Sequence, residues 1–153
     1  MHHDSMVLMR YFRDKYLDQK NTTVLDVGSR IVAGQHKSYR NLFKDYNYVG
    51  MDIVAGQNVD IIGYKSLENK TFDVVISGQV MEHVKRPWEW LKSLSSCFTK
   101  YICIVAPHTF KEHRFPIDTY RYLPDGMRDL FDYANIKEVE IIKNKTSTMG
   151  IGQ

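Results

Sequence analysis

The period of the apolar positions changes several times along this chain, and each change marks an element. From Ser5 to Lys20, Leu8, Phe12 and Tyr16 recur every four residues with Tyr11 beside them, the stripe of an amphipathic helix capped by Ser5. Asn21 and Thr22 end it. Thr23-Val24-Leu25-Asp26-Val27 is then a short apolar run that stops at Gly28, as a buried strand does when it enters a tight turn. Gln35 to Tyr46 is polar and helix-compatible, with Tyr39, Leu42 and Phe43 as its apolar residues. Tyr48 to Ile53 reads as a second strand, Val59 to Ile62 as a short third and Phe72 to Ser77 as a fourth, with the unbroken apolar run of a strand covered on both faces. Pro87 opens a helix to about Phe98. Tyr101 to Ala106 is a fifth strand stopped by Pro107, Pro124 and Asp125 start a helix through Met127, Leu130 and Phe131, and Lys137 to Lys143 alternates as a last strand.

Strands alternating with helices predict an α/β chain: a three-layer, Rossmann-like, mostly parallel sheet with helices on both faces. The pattern has no repeats, linkers or low-complexity tracts, so residues 1–153 are expected to form a single domain, with an N-terminal helix in 1–20 and a polar, aromatic lid over 108–124.

Composition narrows the partners. Hydrophobic residues are 43% and charged residues 25%, ordinary for a globular protein, and the net charge is +3. The positive residues are interleaved with acids, so no nucleic-acid patch is expected. No run approaches the roughly 20 apolar residues of a membrane span, and the first residues lack a signal-peptide core. Cys97 and Cys103 form no CxxC pair and fall in apolar stretches, as buried thiols of a reducing compartment do. The expectation is a cytoplasmic protein without membrane or nucleic-acid partners.

The candidate chemistry gathers at the strand ends. In open α/β sheets ligands bind outside the carboxyl ends of the strands. The turn after Asp26 lies there, with Gly28 lacking a Cβ and Gly34 following. Asp52 ends the second strand 24 residues after Gly28, the place of an acid that accepts from two vicinal ribose hydroxyls. The alternative for Asp52 is a turn cap. The pyrophosphate fingerprint GxGxxG is absent, which disfavours dinucleotides and points to a nucleoside carrying a zwitterionic amino-acid tail.

Three stretches, Val24-Leu-Asp-Val-Gly28, Tyr48-Val-Gly-Met-Asp52-Ile53 and Phe72-Asp-Val-Val-Ile-Ser77-Gly-Gln-Val-Met-Glu82-His83-Val84, stand in the order and spacing of the class I S-adenosylmethionine-dependent methyltransferases. The chain resembles that family from Thr23 to about Lys143. It is most similar to small bacterial members with Ser-Tyr-Arg after the glycine loop, here Ser38-Tyr39-Arg40, and His-Arg-x-Pro-x-Asp after the fifth strand, here His113 to Asp118. The resemblance implies S-adenosyl-L-methionine as cofactor and S-adenosyl-L-homocysteine as product. Asp26 and Gly28 would contact its methionine end, Asp52 its ribose and Ile53 its adenine, with Asp60 approaching the adenine amine and Ser77 and Gly78 lining the floor. Arg30 stands where the family usually has a second glycine; it either pairs with the cofactor carboxylate or crowds the site. Members usually end with a sixth strand and an antiparallel seventh beside the fifth. Thr146 to Gln153 is short and contains glycines, so the C-terminal strand region is expected to be shortened. The open sheet edge this leaves would be one that a second copy of the chain covers.

The lid carries the candidates for acceptor chemistry. An oxygen acceptor loses a proton as it is methylated, and a histidine suits that task near neutral pH. His113 is the first choice and His108 the second. Arg114, Asp118 and Arg121 are candidate substrate ligands; the competing reading is an internal clamp in which Asp118 pairs with one arginine. Glu82-His83 reads either as a hydrogen-bonding pair near the methyl donor or, preferred here, as a brace at a helix start. The six histidines show no HExxH or other tight metal spacing, so no metal is expected. Together these features point to transfer of a methyl group to a small polar acceptor, with a sugar or nucleotide-sugar hydroxyl as the favoured class. The alternative is a non-catalytic module that binds the cofactor, its product or a protein partner through the same fold.

Overall fold

The computed structural model describes residues 3–18, 21–32 and 38–153. The apolar runs become strands β1 (Thr23–Val27), β2 (Asn47–Asp52), β3 (Ile61–Ile62), β4 (Phe72–Gly78), β5 (Phe98–Pro107), β6 (Glu138–Lys143) and β7 (Ser147–Gly152). They form one sheet in the order β3-β2-β1-β4-β5-β7-β6. Neighbours pair in parallel from β3 to β5, and β7 runs antiparallel to both β5 and β6. The expected α/β class and mostly parallel sheet are what forms.

Period-two alternation sorts the strand side chains onto two faces. Leu25, Val27, Val75, Ile102 and Ile104 meet helices α2 (Pro87–Leu94) and α3 (Pro124–Tyr133), which contribute Trp90, Leu91, Met127 and Phe131. On the other face Val24, Ile76, Cys103 and Val105 pack under helix α1 (His3–Tyr16), through Leu8, Met9 and Phe12, and under Tyr39 and Phe43. Cys97 and Cys103 are buried free thiols. No helix among the described residues is long and apolar enough to cross a membrane.

Three expectations change. Ser5 is not a cap: it lies inside α1, fully buried, with its hydroxyl hydrogen-bonded to that of Tyr39. The helix expected from Gln35 to Tyr46 reduces, within the described residues, to a single 3-10 turn at Tyr39–Asn41; residues 33–37, including Gly34, lie outside them. The Phe43 N–H bonds the carbonyls of Tyr39 and Arg40, and the Tyr46 N–H bonds Phe43. These tight turns draw Tyr39 and Phe43 inward and return the chain to the sheet by Asn47.

The third change is at the C-terminus, where the compact tail supplies the seventh strand. Met149 and Ile151 point into the α1 face, while Gly150 and Gly152 face α3. A Cβ on Gly150 would stand 2.8 Å from both Met127 and Phe131, and one on Gly152 would stand 2.3 Å from Ile136. These glycines permit the strand by making room for a helix. With β7 paired along β5, that edge is closed, and the reason for a second copy to cover it is removed.

Gly150→Val is expected to destabilise the protein by about 1–3 kcal/mol through overpacking against Met127 and Phe131. Urea unfolding measures this, and a change below about 0.5 kcal/mol, the size of an ordinary surface substitution, would contradict the packing described.

Candidate functional site

The carboxyl ends of β1, β2 and β4 meet on one rim of the sheet, and most of the singled-out residues lie there. Gly28 takes φ +83°, and its N–H, like that of Ser29, bonds the Met51 carbonyl and ties the β1 turn to β2. A Cβ at Gly28 would stand 2.2 Å from a Val80 methyl, so the space this glycine leaves is filled by the protein itself. Gly78 is similar: its missing Cβ makes room for the Tyr39 phenol. Ser77 donates its hydroxyl to the Val27 carbonyl at 2.7 Å and braces β4 against β1. These three residues shape the floor by packing.

Asp26 is 2% exposed and accepts the Tyr48 hydroxyl. Burial pushes its carboxyl up to about 7, against the opposing pull of the Tyr48 hydrogen bond and the Arg40 charge. Arg40 lies over the Tyr48 ring at 4.5 Å, donates to Asn58 and pairs with Asp60. Asp60 also accepts the Gly50 N–H at 2.7 Å, so its carboxylate is committed to holding the loop before β3. Residues of this loop and Arg40 line a polar cavity of about 450 Å³ with Ile31, Ser38 and Gln57.

Asp52 stands at the tip of β2. It accepts the N–H groups of Arg30 and Val54 at 3.3 and 3.1 Å, and its Oδ1 lies 3.8 Å from the Arg30 Nε. The Arg30 Nε is buried without a hydrogen-bond partner. Arg30 therefore crosses the end of β2, against Gly56, as an unsatisfied donor beside the acid. Ile53 follows at 63% exposure, an apolar side chain next to that polar pair. A nucleoside carrying an amino-acid tail needs this combination of a carboxylate for vicinal hydroxyls, a cationic donor for the tail's carboxylate and an apolar surface for the base, so the residues fit S-adenosylmethionine.

Beyond β4 the chain makes a single 3-10 turn at Met81–His83, and the lid holds it in place. The Thr119 N–H and hydroxyl bond the Glu82 carbonyl at 2.8 and 2.9 Å, and the Tyr122 hydroxyl bonds that of Met81 at 2.9 Å. Asp118 and Arg121 form the clamp of the lid through a two-pronged pair at 2.6 and 2.8 Å, and Asp118 also accepts the His113 N–H at 2.7 Å. The Arg121 guanidinium holds the Asp118 carboxyl well below the usual carboxylate range. Arg114 takes no part in the clamp: it pairs with Glu112 at 3.0 Å and its side chain is 73% exposed.

His113 faces Glu82 across the turn, whereas His108 lies at the base of the lid. The His108 ring nitrogens contact the Thr109 hydroxyl at 2.8 Å and the Asn144 carbonyl at 3.0 Å, which anchors the lid to the β6–β7 turn. Glu82 is the residue that sequence reasoning undervalued. Helix α2 begins only at Pro87, and Glu82 is fully buried with neither carboxylate oxygen hydrogen-bonded, so it braces no helix start. Burial pushes its carboxyl up to about 7. The sequence signal was its place directly after β4, paired with His83.

No family model matches the sequence, and no curated protein matches it. Solved structures do match. A SAM-dependent methyltransferase from Aquifex aeolicus superposes over 97% of this chain and 88% of its own, with TM-score 0.65 and 13% identity. The putative methyltransferase bound to the Haloferax volcanii Trm112 methyltransferase activator matches over 97% of this chain and 89% of its own, with TM-score 0.69 and 12% identity. The N-terminal domain of EvdMO1, solved in the presence of SAH and D-fucose, matches over 99% and 82%, with TM-score 0.60 and 14% identity. The chain thus has the fold of the class I methyltransferases.

Asp26 gives the rim a signature in solution. Its folded pKa lies above the unfolded value of about 3.9, so its contribution to stability is full below pH ~4 and is lost as pH rises through about 7. Unfolding free energy should fall by up to about 1.4 kcal/mol per pH unit between pH ~5 and ~6.5 from this group. Urea titrations of wild type and Asp26→Asn at several pH values measure it: the variant should show the shallower fall, and parallel profiles would contradict the assignment.

Proposed function

We propose that this protein is an S-adenosylmethionine-dependent methyltransferase acting on a small polar acceptor. The observation that carries the reading is Asp52 at the tip of β2, beside the buried, unsatisfied Nε of Arg30. In this fold the carboxyl ends of the strands are where ligands bind. Asp52 holds the ribose hydroxyls, Ile53 packs on the adenine, and Arg30 turns from Asp52 toward the carboxylate of the methionine end. Asp26 approaches the ammonium group, while Gly28, Ser77 and Gly78 keep the floor beneath it in shape. Asp60 acts through Arg40 and the loop it holds. When bound, the cofactor supplies an electrophilic methyl group on a sulfonium. The chain contributes alignment and exclusion of water, and needs no covalent intermediate.

The acceptor enters under the lid. Its proton-bearing atom meets the Glu82–His83–His113 cluster, in which His113 is the most exposed member, its side chain at 19% against 13% for His83 and 0% for Glu82. Of the two candidate histidines the role falls to His113, because the ring of His108 is committed to Thr109 and Asn144. Arg114 is the cation free of the clamp to reach a substrate anion, and Asp118 and Arg121 hold the lid that carries it. A sugar or nucleotide-sugar hydroxyl is the favoured acceptor. Supporting it is an aromatic cavity of about 480 Å³ beside the lid, lined by Trp88, Tyr120, Tyr122 and Tyr133. Aromatic faces of this kind pack against the apolar side of a sugar ring. One fold neighbour, EvdMO1, was solved in the presence of D-fucose.

Calorimetric titration with S-adenosylmethionine and S-adenosylhomocysteine should give micromolar binding. Asp52→Ala should weaken it roughly 10- to 100-fold, the range for hydrogen bonds to a charged group. Folded wild-type protein that binds neither ligand at millimolar concentration, or an Asp52→Ala variant that binds unchanged, would contradict the proposal.

A further inference from the structure

Two neighbouring side chains, Glu82 and His83, meet a third from the lid, His113, at the top of β4. The Glu82 Oε1 lies 3.8 Å from the His83 Nε2 and 3.9 Å from the His113 Nε2. The three ligand-type atoms all fall within 4.8 Å of one another. The two imidazole rings meet edge to face with centroids 4.8 Å apart, and Phe110 and Phe115 pack around them.

The tautomers follow from the partners. The His83 Nδ1 lies 2.6 Å from the Ile117 carbonyl, and the His113 Nδ1 lies 3.2 Å from the Lys111 carbonyl and 3.5 Å from an Asp118 carboxylate oxygen. Carbonyls and carboxylates only accept, so each Nδ1 carries a proton, and in the uncharged form of each ring the Nε2 toward Glu82 is the lone-pair nitrogen. Glu82 adds a carboxylate whose two oxygens are buried and lack any hydrogen-bond partner. Two imidazole nitrogens and a buried carboxyl group thus face one another, and once Glu82 is ionised the arrangement repels itself unless a cation stands between them. An Nδ1–H held by a carbonyl or carboxylate is also the usual outer support of a metal-binding histidine.

We propose that Glu82, His83 and His113 form a binding site for one divalent first-row transition metal ion. Two imidazoles and one carboxylate suit zinc, iron(II), cobalt(II) or manganese(II) better than magnesium or calcium, which prefer oxygen-only sets. Ligand atoms around an ion with bonds of ~2.1 Å stand about 3–3.5 Å apart, so the site closes by roughly an ångström or less on binding along the two Glu82 contacts. The turn bearing Glu82 and His83 is already fixed by Thr119 and Tyr122 of the lid. Three protein ligands leave positions open, and these take water or an acceptor hydroxyl. With the ion bound, the His113 Nε2 is occupied, and the ion replaces His113 as the group that eases loss of the acceptor proton, which passes to solvent. This last role rests on the methyl-transfer reading above; the ion site itself does not.

The test is titration of the metal-free full chain with cobalt(II), followed by visible absorption and calorimetry, beside a separate titration with S-adenosylmethionine. One equivalent of cobalt(II) should bind with visible d–d bands, and Glu82→Gln, His83→Gln and His113→Gln should each weaken it at least tenfold. In the wild type, zinc(II) should move the Nε2 resonances of His83 and His113 among the six histidines, a readout that needs no variant to fold. Folded protein without d–d bands, binding unchanged in the His83 and His113 variants, or shifts confined to His2 and His3 would overturn the site. Cobalt(II) bound without S-adenosylmethionine binding would overturn the methyl-transfer reading and leave the ion site standing. The reverse result would do the opposite.

Discussion

The close approach of Tyr39 to Gly78 is the constraint on which the rim of the sheet depends. The Tyr39 ring is fully buried in the space a Cβ at Gly78 would need, and its hydroxyl is bound to Ser5. One side chain thereby joins the N-terminal helix, the turn after β1 and the end of β4. Val80 repeats the device over Gly28 and joins the segment after β4 to the end of β1. Any larger residue at either glycine would push a strand tip away from its neighbour. The alignment of the tips of β1, β2 and β4 is what forms the candidate binding surface there.

On that rim the polar groups divide into two kinds. Asp60, Ser77, Asp118 and Arg121 are spent on internal bonds and hold loops in place. The Arg30 Nε and both Glu82 oxygens are buried without hydrogen-bond partners, as is the Thr148 hydroxyl within β7; Arg30 stands beside Asp52 at the tip of β2, and Glu82 just beyond β4. Buried polar atoms without partners are costly, and a fold keeps them where a ligand completes them. The separation between these two kinds distinguishes the candidate binding groups from the scaffold.

Much of this was legible in the sequence because it is local. Asp26-x-Gly28 and Asp52 announce strand ends by their own spacing, and the alternation of strands with helices gives the parallel sheet. The seventh strand was not legible. The glycines of Ser147–Gly152 weaken its strand pattern, and their purpose shows only once Phe131 and Met127 of α3 lie over them. Asp60 was read as a ligand for adenine, yet its partners Arg40 and Gly50 arrive through the fold. The Glu82–His83–His113 cluster was missed for the same reason: metal spacing in a sequence reveals ligands on one element, whereas His113 comes from the lid.

The central claim is that the tips of β1, β2 and β4, rather than the aromatic cavity between α2 and α3, form the cofactor site. Amide NMR shifts on addition of S-adenosylhomocysteine to the isotope-labelled chain test it most directly. The account predicts the largest shifts at Gly28, Arg30, Asp52, Ile53 and Gly78, with the amides of Gly126, Asp129 and Leu130 in α3 nearly unmoved. Shifts centred on α3, or none at saturating ligand, would contradict it.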